Sequence, residues 1–497
     1  MNYFNPYPLC VDNAVTTAWQ SQIAEAAKTP SLAELLAQRG SELFPRFVAA
    51  YTELRALPRG ARRAVQRRLA HSRELSAVLQ EWLQQQSSRA LQQKLAATLA
   101  GAALLLVLGR GVSDAATIVV NTNATGVVFG DAKCSLIEAI LNANADAQVS
   151  PDCPAGDPDP TEDTIVLPKK TFTLTAPYYT YYGDPTGLPL ITSKITIEGN
   201  GAKITRKKSS PSFRLMAVGA TGDLELENVT LSGGLAYVGG AITNSGELVV
   251  TGSTITGNTA YNGGAIHNYH EATITNSTIS KNTAKGYFFY YTGYGLYYLG
   301  GFAGGIDNHA AATLTVTNST ITGNKAFSAG GIGNVGNMSI DTSTVSKNSA
   351  QFAGGIGTYG DALTTQTISN STISGNTANL KTVSYGGTTY RVGGLGGGIA
   401  NFSSTLTITN STISGNKAKG KIVRRRVGGI PYVYFYGGVG GGIMNYHGDL
   451  TLTGGLVTKN TATIAGGGLA DISGTYTYTP GTITGNKARY YANILTY

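Results

Sequence analysis

Leu314-Thr315-Val316-Thr317-Asn318-Ser319-Thr320-Ile321-Thr322-Gly323-Asn324 is followed, after the five residues Lys325 to Ala329, by Gly330-Gly331-Ile332-Gly333-Asn334, and this pair of phrases decides the fold. Strict alternation of Leu, Val or Ile with Thr is the pattern of a strand with one buried face. Gly-Asn and Gly-Gly supply corners where the chain needs positive φ. The first phrase recurs with copies ending at Asn258, Asn282, Asn348, Asn376, Asn416, Asn460 and Asn486. The second recurs as Gly263-Gly264-Ala265-Ile266-His267-Asn268, Gly304-Gly305-Ile306-Asp307-Asn308, Gly397-Gly398-Ile399-Ala400-Asn401 and Gly441-Gly442-Ile443-Met444-Asn445. Ile242 and Ile266, Ile332 and Ile356, and Asn258 and Asn282 are each 24 residues apart, which sets the length of one coil.

A unit this small cannot close a core alone. Stacked coils bury their aliphatic residues in continuous ladders, each strand pairing in parallel with its copy about 4.8 Å away. Asn side chains at equivalent corners can bond from coil to coil. The tripeptides beginning at Asn276, Asn318, Asn370 and Asn410 match glycosylation acceptors, but their recurrence in coil register reads as turn chemistry. The expected fold is an all-β solenoid, a right-handed parallel β-helix. A stack needs covered ends. The segment Cys134 to Ala145 places Leu136, Ile137, Ile140 and Leu141 on one helical face, with Ser135 as N-cap and Glu138 three residues on, and predicts an N-terminal helical cap.

Upstream the composition changes. Residues 1–94 read as a separate α-helical extension, with Leu32, Leu35, Leu36, Leu43 and Phe44 at helical spacing. A basic group from Arg59 to Arg68 precedes the apolar run Leu95 to Leu108, and Ser113 and Ala115 are small residues placed for cleavage. Residues 95–115 therefore read as a signal-peptide-like segment, with a retained membrane anchor or a buried helix hairpin as the alternatives. The expected organisation continues with the cap and first coils at 116–200 and the repeats at 201–497. Export leads to a secreted or cell-surface location, where Cys134 and Cys153 can pair; two buried free thiols are the plainer alternative.

The chain carries 65 Gly among its 497 residues and only 13% charged residues, which excludes a charged disordered chain. Its net charge of +9 is shared almost equally between residues 1–115 and the much longer remainder. No basic stripe of the kind that grips nucleic acid emerges, and no nucleic-acid partner is expected.

The residues Ala116 to Val120, Cys134 to Ala145, Asp163 to Leu167, and Leu188 to Gly201 resemble the N-terminal module of CSLREA-type bacterial surface β-helix proteins, with Ile137 where that pattern usually has Arg. The Gly-Gly-Ala-Ile and Gly-Asn repeats are similar to those of polymorphic outer membrane proteins. Together the two resemblances span about residues 116–497, imply surface or secreted display, and carry over no catalytic residue.

Two sets of residues are candidates for function. The first is acid–base chemistry of a polysaccharide lyase or hydrolase. Coil alignment puts Asp223, Glu247 and Glu271 in one column and makes His267 equivalent to Asp307, with His270 and His309 nearby. Isolated solvated charges are the plainer reading. The second lies in three inserts that lengthen single coils at one corner, Lys285 to Gly301, Leu380 to Leu395 and Lys419 to Val439. They hold Tyr287, Tyr290, Tyr291, Tyr294, Tyr297 and Tyr298, then Tyr385 and Tyr390, then Arg424, Arg425, Arg426, Tyr432, Tyr434 and Tyr436. Tyr and Arg supply rigid, amphipathic contact area suited to glycan or protein ligands, as in an adhesin. The competing reading is that the inserts pack on one another as an accessory sheet without ligand. No cofactor is required. The acidic loop Asp152, Asp157, Asp159, Glu162 and Asp163 is a candidate calcium site, although its spacing matches no EF-hand and a solvated loop explains it as well.

Overall fold

The computed structural model describes residues 116–157, 162–291, 295–360, 364–385, 388–427 and 430–497. The expected helical extension and signal-like segment lie outside the described residues. No helix among those described is long and apolar enough to cross a membrane.

The chain is a parallel β-helix solenoid. A full coil runs through Thr254–Thr256, the corner strand Thr259–Ala260, then Ile266–Asn268 and Glu271–Thr275. Each strand pairs in parallel with its copy in the next coil: Glu247 with Glu271, Thr254 with Thr278, Ile266 with Ile306. The result is a 21-stranded sheet carrying two strands per typical coil, and a 10-stranded sheet whose strand order follows the chain from Met216–Val218 to Ile494–Thr496.

Three aliphatic ladders fill the interior. One runs Ile255, Ile279, Ile321, Val345, Ile373, Ile413, and another runs Ile242, Ile266, Ile306, Ile332, Ile356, Ile399, Ile443; all of these side chains are fully buried. The third joins Leu226, Val250, Ile274, Val316 and Ile340. Because every unit repeats the same aliphatic shapes, a continuous core is built from units that have none alone.

The corners use buried polar ladders. Asn258, Asn282, Asn324, Asn348, Asn376, Asn416, Asn460 and Asn486 each pass a hydrogen bond on: the Asn324 Nδ2 donates to Asn348 Oδ1 at 3.0 Å, and the Asn324 N–H donates to the same oxygen at 2.9 Å. The second Nδ2 hydrogen of Asn324 goes to the Ile279 carbonyl of the preceding coil at 3.0 Å. Every polar atom of the side chain is thus used. A second column does the same with serine: the Ser253 N–H donates to Ser277 Oγ, and Ser277, Ser319, Ser343 and Ser371 continue the relay. The residues beside these serines, Asn276, Asn318, Asn370 and Asn410, all have positive φ, as turn positions require. Glycine pairs occur where coils approach closely. A Cβ on Gly330 would lie 2.2 Å from the Gly354 carbonyl oxygen, so no side chain fits.

At the N-terminal end, Leu136–Ala145 is a helix with Ser135 and Glu138 forming a capping box. Leu136, Ile137, Ala139, Ile140 and Ala143 join Ile118, Ile165 and Ile195 in the apolar core. A disulfide joins Cys134 to Cys153, with Cα atoms 4.8 Å apart. Asn142 ties the returning segment down, its Nδ2 donating to the Ser150, Cys153 and Pro154 carbonyls.

Substituting Asn348→Ala leaves two buried donors of Asn324 without an acceptor. Urea titration of the full chain should show a loss of about 3 kcal/mol or more, at about 1–3 kcal/mol per orphaned group. Reducing the Cys134–Cys153 bridge should cost the N-terminal end of the stack about 3 kcal/mol in the chain-entropy account. Hydrogen exchange with and without reductant checks it, with the deprotection confined to the helix and the first coils.

Candidate functional site

Six of the ten strands in the ten-stranded sheet read Ile-X-Asn, and in Ile356–Thr358 a Thr takes the place of the Asn. Period-two alternation sends Ile and Asn inward and X to the outer face. Through successive coils X is Thr243, His267, Asp307, Gly333, Gly357, Ala400 and Met444. The register that makes His267 the neighbour of Asp307 therefore follows from strand pairing. Their side chains are 3% exposed, and His267 Nδ1 lies 2.7 Å from Asp307 Oδ2. The contact is not aligned as a hydrogen bond, and His267 Nε2 and Asp307 Oδ1 are buried without partners.

Rings surround this pair. Tyr269 meets the His267 imidazole edge-on at 4.3 Å between centroids, His309 lies 5.8 Å from it, and Tyr269 and His309 are 5.0 Å apart. Enclosure, the Asp307 carboxylate and nearby Tyr182 push the Tyr269 phenol up to about 12, against an opposing pull from Arg214. Desolvation lowers the His309 pKa, with Asp307 pulling the other way. The phenol thus stays neutral in the physiological range.

Below them, Arg214 is completely buried. Its Nη2 lies 2.5 Å from Asp184 Oδ2, whereas Nε and Nη1 have no hydrogen-bond partner. Asp184 Oδ2 also accepts the backbone N–H groups of Tyr237 and Val238 at 2.8 and 3.2 Å. Asp184 belongs to a hairpin, Tyr179–Tyr181 with Asp184–Thr186, that brings Tyr182 to 6.4 Å from Tyr269. The sequence reading missed this hairpin, although Tyr178-Tyr179-Thr180-Tyr181-Tyr182-Gly183 carries the same aromatic signal as the three inserts.

Farther along the sheet the outer face turns aromatic. Phe302 and Tyr359 are 5.0 Å apart, Tyr359 and Phe402 stack at 5.1 Å with planes 9° apart, and Phe402 and Tyr446 follow at 6.2 Å. The glycines at X make room for these rings. A Cβ on Gly333 would meet Phe302 at 2.7 Å, and one on Gly357 would meet Tyr359 at the same distance. The Tyr359 hydroxyl is held by Ser328 Oγ at 2.7 Å. All four rings remain partly exposed.

The three inserts are antiparallel hairpins: Gly286–Tyr291 with Gly295–Gly300, Leu380–Tyr385 with Thr388–Gly393, and Gly420–Val427 with Ile430–Gly437. Each follows a corner strand and precedes the Gly-Gly of its coil. Each is a two-stranded sheet of its own. The second and third are adjacent, with the Arg391 guanidinium 4.9 Å from the Tyr436 ring centroid. Tyr287, Tyr290, Tyr291, Tyr297 and Tyr298 fall in the first hairpin, Tyr385 and Tyr390 in the second, and Arg424 to Arg426 with Tyr432, Tyr434 and Tyr436 in the third. Tyr294 lies outside the described residues. Tyr434 and Phe435 are 38% and 51% exposed, and Arg424 and Arg426 are exposed as well.

The candidate acid–base residues divide between two faces. Asp223, Glu247 and Glu271 are indeed in register, but on the 21-stranded sheet rather than beside His267, and Glu247 and Glu271 are exposed. Among the described residues no group of three or more His, Cys, Asp or Glu is disposed to hold a metal ion. In the acidic loop Asp152 caps the Gly130 and Ala132 N–H groups, Asp163 accepts the Asp157 N–H, and Glu162 pairs with Lys194; Asp159 lies outside the described residues.

On the same large sheet, burial and the neighbours Glu227, Glu162 and Asp223 raise Glu225 to about 6. A carboxyl whose folded value exceeds its unfolded one stabilises the fold fully below the unfolded value, and that contribution fades as pH rises through the folded one. Thermal melts should therefore show Glu225→Gln flattening the decline in stability from about pH 4.5 to pH 6 and raising Tm at pH 8.

No protein-family model matches this chain, and no curated protein matches it. Among solved structures it is similar to the A-module of the Azotobacter vinelandii mannuronan C-5 epimerase AlgE6, at 11% identity and a TM-score of 0.36, over 67% of this chain and 83% of that one.

Proposed function

We propose that this protein is an exported, right-handed β-helix that acts as an adhesin-like binding surface for a glycan. The observation that carries this reading is the file of partly exposed rings on the ten-stranded sheet, Phe302, Tyr359, Phe402 and Tyr446, spaced 5.0 to 6.2 Å apart. A surface that repeats along one axis matches a ligand that repeats along one axis, and flat rings offer apolar faces to sugar rings while their hydroxyls bond to water and sugar. The hairpins rise from the corner that leads into this sheet, which adds exposed Tyr434, Phe435, Arg424 and Arg426 to the same side. Solenoids commonly bind on the face where inserts gather.

Export is supported by the signal-like segment at 95–115 and by the Cys134–Cys153 bridge, which belongs to an oxidising compartment. The Arg-rich strand of the third hairpin extends the surface toward anionic ligands, whether acidic sugars or acidic protein segments.

Full-length protein retained on a glycan array should lose about tenfold in affinity on Phe402→Ala with Tyr446→Ala, at about 0.5–1.5 kcal/mol for each ring contact. Circular dichroism should stay unchanged, because both rings lie outside the core ladders. Undiminished retention would show that ligands do not use this file. Replacing Arg424, Arg425 and Arg426 with Ser should weaken attachment to an anionic ligand mainly at low ionic strength, since salt screens exposed charge.

A further inference from the structure

We propose that the cleft between the hairpin Tyr179–Tyr181 with Asp184–Thr186 and the hairpin Gly286–Tyr291 with Gly295–Gly300 binds the uncharged sugars at the end of a glycan chain, at a place separate from the aromatic file. The class of ligand rests on the glycan-binding reading; the site and its restriction to chain ends are additional to it.

The cleft has a volume of about 520 Å³, within the range of small-ligand sites. Its floor is one corner column read through successive coils. The third residue after each ladder asparagine stands in this column: Tyr261 after Asn258, Lys285 after Asn282, Phe327 after Asn324. In the preceding coil Gly234 takes the asparagine's place, donating its N–H to Asn258 Oδ1, and so puts Tyr237 in the same column. Phe327 is turned in, 8% exposed, and packs edge-on against Phe352 with centroids 5.3 Å apart. Tyr237 and Tyr261 do the opposite. They are 53% and 36% exposed, their rings lie 5.1 Å apart, and both line the cleft. An aromatic side chain in this column can therefore be buried, and these two stand where a ligand reaches them.

Polar groups close the two ends. Asp184 Oδ2 is held by Arg214 Nη2 and by the N–H groups of Tyr237 and Val238, which fixes the carboxylate in one orientation. Asp184 Oδ1 accepts no hydrogen bond among the described residues and is not enclosed, the side chain being 13% exposed. It is a preset acceptor at the wall of the cleft. At the other end stands exposed Lys285, immediately before its hairpin. From the coil of Ser212 to that of Lys285 is three strand spacings, about 14 Å, the length of a short oligosaccharide. A hairpin at each end stops a polymer from running on along the solenoid axis, so the cleft takes a chain end where the aromatic file takes a repeating chain.

The charges select the sugar. Flat Tyr faces suit the apolar face of a sugar ring. An aromatic cage for a quaternary ammonium needs uncompensated negative charge, but Asp184 is neutralised by Arg214 and Lys285 adds a cation. Asp184 Oδ1 can only accept, so it bonds sugar hydroxyls and repels a sugar carboxylate. Lys285 donates to a hydroxyl or amide oxygen. Neutral sugars satisfy both ends at once.

The test titrates the full chain with cellotriose, mannotriose, N-acetylchitotriose and trigalacturonate, followed by ligand-observed NMR. The expected result is binding of at least one neutral trisaccharide, more weakly matched by trigalacturonate, with affinity falling about three- to tenfold in Tyr237→Ala and in Tyr261→Ala. Phe402→Ala with Tyr446→Ala should leave trisaccharide binding unchanged. In that same double variant a long polymer of the preferred linkage should compete in proportion to its chain ends, and competition in proportion to its mass overturns the restriction to ends. Lys285→Ala, at an exposed position, should also weaken binding, and it decides the matter if a tyrosine variant loses its β-structure by circular dichroism. Undiminished affinity in folded Tyr237→Ala and Tyr261→Ala, or in Lys285→Ala, overturns the site. Tighter binding of trigalacturonate than of every neutral probe overturns the choice of sugar. No trisaccharide binding, with polymers still retained on the glycan array, overturns this cleft and leaves glycan binding standing; a blank array as well overturns both.

Discussion

The coil-to-coil hydrogen bond from one asparagine to the next sets the register on which the whole molecule depends. Asn324 bonds Asn348 through both its amide nitrogen and its side chain, and its remaining side-chain donor binds the coil before it. A strand slip by one residue would move every Ile from core to surface and at the same time leave a column of buried amides unsatisfied. Aliphatic ladders supply most of the driving force, but apolar contacts are non-directional and tolerate sliding. The asparagines are directional. They hold neighbouring coils in one register even where inserts of different length separate them, as between Asn282 and Asn324 or Asn416 and Asn460.

Because inward residues and corners carry the fold, the outward column of the ten-stranded sheet is free to vary. It runs from polar groups at Thr243, His267 and Asp307 through bare glycine to Ala400 and Met444. The small residues serve a second apolar layer, in which Ala329, Ala353, Ala400 and Met444 pack with Leu395, Phe402 and Tyr446 outside the main core. One sheet thus supports two chemistries along its length, a buried ionic cluster at one end and a file of rings beyond it. The hairpins follow the same logic. They leave from one corner, so they enlarge one side of the solenoid without interrupting either ladder.

The aromatic hairpin Tyr179–Tyr181 with Asp184–Thr186 links these two levels. Asp184 holds Arg214 and two backbone amides, while Tyr181 and Tyr182 extend toward Tyr269 over the sheet. Burial of Arg214 is tolerable because its charge is paired. The remaining two donor positions are the least satisfied part of the described structure's polar interior, alongside those of His267 and Asp307. That concentration of unmet hydrogen-bonding capacity sets this end of the sheet apart from the Asn and Ser columns, where every group is matched.

The sequence by itself determined the coil length, the inward ladders, the turn role of Asn276, Asn318, Asn370 and Asn410, and the pairing of His267 with Asp307. Each follows from period-two alternation within a repeat of 24 residues, so each is a local rule copied along the chain. The positions of the three inserts were legible too, as departures from that period. Only the tertiary structure decided what covers the outer face: that Arg214 meets Asp184, that Tyr269 and His309 close over His267, that Gly333 and Gly357 admit Phe302 and Tyr359, and that Glu247 and His267 belong to different sheets. Those contacts join side chains from different coils and from hairpins of unequal length. No periodicity specifies them, because they arise from close packing of particular shapes in three dimensions.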